Sequence, residues 1–204
     1  PRGRFPITVT TNQGDTSNTH YFTIMPQLTP GTIVGYVGNT ITVSGTGFAA
    51  SSPITFYFDT TGVSAGATTT NANGSFTNNA FTIPASSRGT HTIKAQDAGG
   101  YNATAGFTTV QKITLGSTSG TAGDAVTVSG TGFAAGSNIT FYFDNTGVSA
   151  GATTSDGNGS FTNNAFTIPA GSRGPHTIKA RDAGGNYATA GFTTVQKITL
   201  GSTS

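Results

Sequence analysis

Several residue types that commonly organise a chain of 204 residues are missing or scarce here. There is no cysteine and no tryptophan, a single methionine, and no glutamate, so all seven acids are aspartate. Without cysteine, disulfides, thiolate metal sites and cysteine nucleophiles are excluded. Charged residues make up 8% of the chain, against about 25% in an ordinary soluble domain. The nine Lys and Arg residues are scattered, so the basic patch of a nucleic-acid-binding protein is missing. No apolar run approaches the roughly 18 residues of a membrane helix, and no signal-peptide pattern is present.

What is there is Thr, Gly, Ser and Asn, arranged in a repeat. Val43-Ser-Gly-Thr-Gly-Phe-Ala-Ala50 returns as Val128 to Ala135, Ile54-Thr-Phe-Tyr-Phe-Asp59 as Ile139 to Asp144, and Asn78-Asn-Ala-Phe-Thr-Ile-Pro84 as Asn163 to Pro169. The offset is 85 residues, and between Ser44/Ser129 and Val110/Val195 only 11 of 67 positions differ. A fixed period of this kind defines structural units. A unit of this size can bury roughly 60% of its unfolded surface, enough for a modest core without staples.

Within a unit the ordered runs are rich in Thr, Val, Ile, Phe and Tyr, alternate with period two, and are punctuated by Gly and Asn. Those are strand signals. In the second unit strands are expected at Lys112–Leu115, Ala125–Ser129, Asn138–Asp144, Val148–Thr154 (an edge), Phe161–Ile168, Pro175–Ala180 and Ala188–Val195. A turn is expected at 120–124, a hairpin turn of the Asn-Gly kind at 155–159, and a hairpin at Asp182–Asn186. About seven short strands at such intervals make a two-sheet sandwich. Phe5–Thr10 and His20–Ile24 align with the last strand pair of a unit, and Lys197–Ser204 repeats Lys112–Ser119. The chain, expected to be part of a longer protein, therefore divides into residues 1–28, the closing strand pair of one unit; 29–112 and 113–197, two complete units; and 198–204, the first strand of another. About two residues, with neither Gly nor Pro, separate the strands at Val110–Ile113, which suits a stiff junction better than a flexible linker.

Ser-Gly-Thr-Gly-Phe, Ile-Thr-Phe-Tyr-Phe-Asp, Asn-Gly-Ser-Phe, Thr-Ile-Pro-Ala and His-Thr-Ile-Lys-Ala together resemble the tandem Ig-like repeats of large bacterial and archaeal surface proteins, of the IPT/TIG-like and bacterial Ig-like families. The resemblance covers essentially the whole chain. It implies an all-β fold of tandem Ig-like sandwiches in a linear array. It also implies a secreted or cell-surface adhesin, stalk or fibre, and it brings no catalytic residues with it.

The candidate sites are few. His91 and His176 recur after Arg-Gly-x, where a histidine bonded to backbone at a sandwich corner is expected, since no nucleophile or carboxylate partner is evident in sequence. Asp156, Asn158 and Ser160 alternate as oxygen ligands do at the start of a Ca²⁺ loop. They lack a later bidentate acid, and the counterpart is Asn71, so a turn is expected there and no cofactor. Asp59/Asp144 and Asp97/Asp182 are expected to cap turns. Lys94 and Lys179 alternate with Ile93 and Ile178, placing them on the solvent face and away from any isopeptide crosslink. Asn73, Asn102, Asn138 and Asn158 head N-x-S/T glycosylation triplets, the equivalent pair Asn73 and Asn158 on a turn tip. Tyr101 and Tyr187 stand near the tip of the last hairpin in swapped order and are candidates to stack on a sugar or a neighbouring unit.

The resulting expectation is an extracellular, non-enzymatic structural protein. Tandem units would form a rigid stalk, adhesin shaft or filament, partnered by copies of itself or neighbouring repeats and by surface glycans. Strand addition between molecules is one assembly route. A spacer or carbohydrate-binding accessory module of a secreted glycoside hydrolase is the alternative, with Tyr57 and Tyr142 as its sheet-face aromatics. Nucleic acid and a membrane span are not expected. The Ser-Gly-Thr-Gly-Phe stretch lacks the Lys and following helix of a phosphate loop; its Phe133 is expected to plug the core.

Overall fold

β-branched and aromatic residues at alternate positions, each run ended by Gly, Asn or Pro, leave the backbone one way to satisfy its hydrogen bonds with half of its side chains buried, and that is a sheet. The computed structural model describes residues 3–144, 146–171 and 173–196, with side chains left aside at 61–67 and 146–152. Among the described residues every regular element is a strand, and no helix is long and apolar enough to cross a membrane. The expected strand at 198–204 and position 145, one of the differences between units, lie outside the described residues. The chain divides into two compact units.

A short hairpin comes first, β1 (Gly3–Ile7) and β2 (His20–Ile24), paired antiparallel with Phe5 opposite Phe22. The first sandwich follows: β3 (Gln27–Pro30), β4 (Val34–Gly35), β5 (Thr40–Thr46), β6 (Pro53–Phe58), β7 (Thr61–Thr69), β8 (Phe76–Thr82), β9 (Gly89–Asp97) and β10 (Asn102–Thr109). The second repeats it: β11 (Lys112–Leu115), β12 (Ser119–Gly120), β13 (Ala125–Thr131), β14 (Asn138–Phe143), β15 (Thr146–Thr154), β16 (Phe161–Thr167), β17 (Gly174–Asp182) and β18 (Tyr187–Thr194). Each unit is one three-stranded sheet, β3-β5-β8 or β11-β13-β16, and one five-stranded sheet, β4-β10-β9-β6-β7 or β12-β18-β17-β14-β15.

Two expectations are corrected. The segment 120–124 is not wholly a turn, because Ser119–Gly120 pairs parallel to β18. The opening strand thus leaves one sheet and joins the other, a switch too short to show in hydrophobic periodicity. Residues 155–159 do not close a hairpin either. β15 pairs with β14 and β16 pairs with β13, so this turn carries the chain from one sheet to the other. Asn158 is still exposed at its tip, but the tip belongs to an inter-sheet crossing.

The core lies between the sheets. Phe133, Phe141, Phe166 and Phe192 are essentially inaccessible, as are Phe48, Phe56, Phe81 and Phe107 in the first unit. Burying each phenylalanine is worth about 1.5–3 kcal/mol. Phe133 seats on Phe161 with ring centroids 5.4 Å apart, which is the expected plug. Gly130 makes the fit feasible, since a Cβ there would meet the Phe161 ring at 2.3 Å. The hairpin β1–β2 matches β17–β18 in register: Phe22 stands opposite Phe5 as Phe192 stands opposite His176. Phe192 is 2% exposed and Phe22 is 56% exposed. Among the described residues β1 and β2 are paired as strands only with each other.

Candidate functional site

At the end of β14 the chain turns sharply, with Asp144 in the left-handed region at φ 54°. Its backbone N–H donates to the Thr177 carbonyl at 2.7 Å. Its carboxylate accepts the Thr177 N–H on Oδ1 (2.9 Å) and the His176 Nδ1–H on Oδ2 (2.9 Å). The imidazole packs on Phe143 at 4.5 Å, and its Nε2 lies 2.9 Å from Thr194 Oγ1. In the first unit Asp59 accepts Thr92 N–H and His91 Nδ1–H in the same way, at 2.9 and 2.8 Å. The histidines therefore bond a carboxylate, not only backbone as expected from sequence. The partner, Asp144, is 32 residues away and reads as an ordinary turn residue until the register of β14 and β17 is known. Hydrogen bonds from His176 and from the Thr177 amide hold Asp144 below the ordinary carboxylate range, with slight opposing burial. At Asp59 burial pushes upward but is outweighed by the bonds from His91 and Thr92. Hydroxyl, imidazole and carboxylate stand in the order of a nucleophilic relay. Thr194 is only 6% exposed, however, so its hydroxyl is turned into the sandwich and offers no face for attack on a substrate. The chain of bonds fastens the β14 corner to β17 and β18.

The other recurrent acids are structural too. Asp182 is buried; its Oδ1 accepts the Asn186 N–H (2.9 Å) across the β17–β18 turn, and its Oδ2 accepts the Ala134 N–H (3.3 Å). Asp97 does the same with Tyr101 and Ala49. Beyond capping a turn, each ties that turn to the Ser-Gly-Thr-Gly-Phe-Ala-Ala loop. At the inter-sheet crossing Asp156 Oδ1 accepts the amides of Asn158 (2.8 Å) and Ser160 (2.9 Å). Asn71 Oδ1 takes the amides of Asn73 and Ser75 at 2.9 and 3.1 Å. An amide oxygen thus does the carboxylate's work, which is the geometry of a turn. The structure brings the backbone of Asn158 and Ser160, and not their side-chain oxygens, to Asp156. Among the described residues no three His, Asp or Glu side chains cluster as metal ligands.

Outward from the five-stranded sheet of the second unit lies a different arrangement. Asp144, Thr177, Lys179, Tyr187 and Thr189 line an open cavity of about 390 Å³. The register explains the convergence: Lys179 is opposite Tyr142 on one side and Thr189 on the other, and Thr177 is opposite Gly191. Lys179 Nζ sits 4.5 Å from the Tyr142 ring centroid and 5.8 Å from that of Tyr187. It points outward, as its alternation with Ile178 predicts. In the first unit Lys94 covers Tyr57 at 3.9 Å, but Asn102 begins β10 where Tyr187 begins β18. The swapped order of Tyr and Asn thus has a structural consequence. Tyr101 ends the turn, its N–H bonded to Asp97, while Tyr187 stands on the sheet face, 60% exposed.

Residues 109–196 match the IPT/TIG domain. This segment is similar to the IPT/TIG family. The first unit shares its 85-residue pattern with that IPT/TIG domain. No curated protein matches the chain. Solved structures similar to it include the Yersinia pseudotuberculosis adhesin InvE, at 17% identity and TM-score 0.34, covering 83% of this chain and 58% of that one. A tetra-tandem repeat from the extending region of a large adhesion protein is 19% identical, with TM-score 0.37 and coverages of 94% and 56%. SGBP-B of a Bacteroides ovatus mixed-linkage glucan utilization locus, solved with a mixed-linkage heptasaccharide, is 19% identical, with TM-score 0.36 and coverages of 94% and 51%. The chain therefore spans between half and three-fifths of each of these chains. At such identities and TM-scores none of them carries a function over.

Across the IPT/TIG domain and its twin, the triplet asparagines Asn73, Asn102, Asn138 and Asn158 are all exposed. Asn138 Oδ1 accepts the Thr154 hydroxyl at 3.3 Å, and Asn102 Nδ2 donates to the Gly100 carbonyl at 3.4 Å.

Proposed function

We propose that this chain is a stretch of an extracellular structural protein in which near-identical IPT/TIG sandwiches repeat as a stalk, adhesin shaft or surface filament. The observation that carries the reading is the distribution of differences between the two units. Of 11 substitutions in 67 positions, none falls on a buried hydrophobic residue. They fall on turns such as Asn71/Asp156, on outward strand positions such as Gln96/Arg181, and on swaps that keep a hydroxyl such as Thr70/Ser155, whose hydroxyls both donate to the loop carbonyl (Ala49 or Ala134) at 2.6 Å. Two units kept this alike do the same mechanical task. A two-residue connection between β10 and β11 without Gly or Pro supports a stiff repeat, and few charges allow side-by-side packing.

The edge strands β7 and β15 provide places for strand addition between neighbouring copies. The proposal is tested by electron microscopy and small-angle scattering on proteins of two, four and six concatenated units. Contour length growing in equal steps supports a shaft; compact particles of constant shape rule it out. Deleting residues 197–204 separates the assembly routes, because unchanged association excludes exchange of a strand formed there.

A further inference from the structure

We propose that the outward face of β14, β17 and β18 in the second unit binds neutral sugar rings of a glycan, with Tyr187 as the stacking platform and Asp144, Lys179, Thr177 and Thr189 as hydroxyl partners. The inference starts from chemistry that converges on one hollow. Tyr187 offers an exposed ring face at the head of β18, and such a face accepts the apolar C–H side of a pyranose. Asp144 offers a carboxylate whose two oxygens each hold one internal hydrogen bond, to Thr177 N–H and His176 Nδ1–H. About four lone-pair sites serve a carboxylate, so both oxygens retain acceptor capacity. The same two bonds lock the group's orientation, and they keep it ionised across the neutral range. Lys179 is a donor held in place between Tyr142 and Tyr187. The Thr177 and Thr189 hydroxyls donate and accept. Gly191, opposite Thr177 in register, has no side chain and leaves the hollow open between the two threonines.

The kind of ligand follows from the sum. One carboxylate and one ammonium line the hollow, and the Arg181 guanidinium stands beside Tyr187. The site thus has neither the cluster of cations that suits phosphate or a polyanion nor the paired carboxylates that suit a simple cation. Mixed donors and acceptors around a single aromatic ring match a polyol with one apolar face. A cavity of about 390 Å³ sits at the small end of ligand sites, roughly 300–1,000 Å³, and suits one or two sugar rings of a longer chain.

The first unit is a built-in control. It retains Tyr57, Lys94, Asp59 and Thr92, yet carries Asn102 in place of Tyr187 and Gln96 in place of Arg181. Arg181 and Tyr187 are cross-strand partners, so two of the few differences between the units fall together beside the hollow. The divergence is local to the outward face, while the core beneath it is the same.

The test is an amide NMR titration of the full chain with neutral hexasaccharides of the β-glucan, α-glucan and mannan types, and with a uronic acid hexasaccharide as the charged arm. The expected result is that at least one neutral oligosaccharide shifts amides at 142–144, 177–181 and 187–191 and leaves those at 57–59, 92–96 and 102–106 in place. Tyr187→Ala and Lys179→Ala should each weaken that binding at least about tenfold. The exchange Asn186→Tyr with Tyr187→Asn reproduces the order found in the first unit, which folds, and should abolish binding. The reverse exchange at residues 101 and 102 should create a second site. The proposal is overturned by no shift with any neutral oligosaccharide, by equal shifts in both units, by binding that survives Tyr187→Ala, or by binding of the uronic acid chain alone.

Discussion

The glycines of the Ser-Gly-Thr-Gly-Phe stretch, set beside two strand glycines, give two pairs of Gly→Ala substitutions that differ in backbone conformation and in surroundings. Gly132 has φ +69°, and a Cβ there would lie 2.5 Å from the Val110 carbonyl oxygen; Gly47 has φ +75° and would meet the Met25 oxygen at the same distance. Left-handed backbone costs a non-glycine residue about 1–2 kcal/mol, and forcing atoms into a filled space costs about 1–3 kcal/mol more. The obstacle is backbone, which cannot swing away as a side-chain tip can. Gly47→Ala with Gly132→Ala should therefore lose about 2–5 kcal/mol per unit, which at about 4–8 °C per kcal/mol for a domain of this size is a Tm drop of roughly 8–40 °C. Gly106 and Gly191 lie in β10 and β18 with ordinary φ and nothing within 4 Å of an added Cβ. Gly106→Ala with Gly191→Ala should instead raise stability by about 0.4–1 kcal/mol per unit by restricting the unfolded chain. Changing both units together keeps the calorimetric transition single. If the two double variants move Tm in the same direction, or the first by less than about 3 °C, the close approach does not exist and the reasoning fails.

Four further outcomes are expected. Phe133→Ala, which empties a fully buried site against Phe161, should cost about 3–5 kcal/mol in chemical denaturation, whereas truncating the exposed Tyr101 should change stability by less than about 0.5 kcal/mol. Asp156→Asn should leave Tm unchanged, because Asn71 makes the same two bonds; Asp156→Ala should lower it, and added Ca²⁺ should shift neither protein, whereas a Ca²⁺-dependent rise that Asp156→Asn removes would restore a metal site. Ser155→Thr should be tolerated and Ser155→Ala should cost about 1–3 kcal/mol, since the Ser137 amide and the Ala134 carbonyl would both lose their partner. For pH, Asp59 and Asp144 ionise more readily folded than unfolded, so their contribution is present above the ordinary carboxylate value near 4 and is lost as pH falls through the lower folded value. Asp59→Asn with Asp144→Asn should thus be less stable than the native chain at pH 7 and converge with it near pH 2; a gap that widens in acid would contradict the assignment.

Strand positions and the core were readable because burial imposes a period of two, and a one-residue slip would turn Ile139, Phe141 and Phe143 to solvent. Lys179 could be placed outward for the same reason, from its neighbour Ile178. The aspartates could be placed at turns, but their long-range partners could not. Asp144 meets His176 across 32 residues and Asp182 meets Ala134 across 48, and nothing local distinguishes a carboxylate that caps its own turn from one that also bridges two loops. The Asn-Gly turn at 155–159 reads as a hairpin in the linear chain because turn chemistry specifies how a chain reverses, and not which sheet it enters afterwards.

The 85-residue period, the all-β class, the alternation of core and surface, and the absence of cysteine chemistry follow from local chemistry and counting, so they belong to the linear chain. Sheet membership, the strand switch at Ser119–Gly120, the carboxylate–imidazole corner and the hollow beside Tyr187 depend on register between strands far apart in sequence. The Tyr-Asn swap shows the division most plainly. In the chain it is a transposition of two neighbours, and only pairing against β17 turns it into a ring on the sheet face in one unit and a ring in the turn of the other.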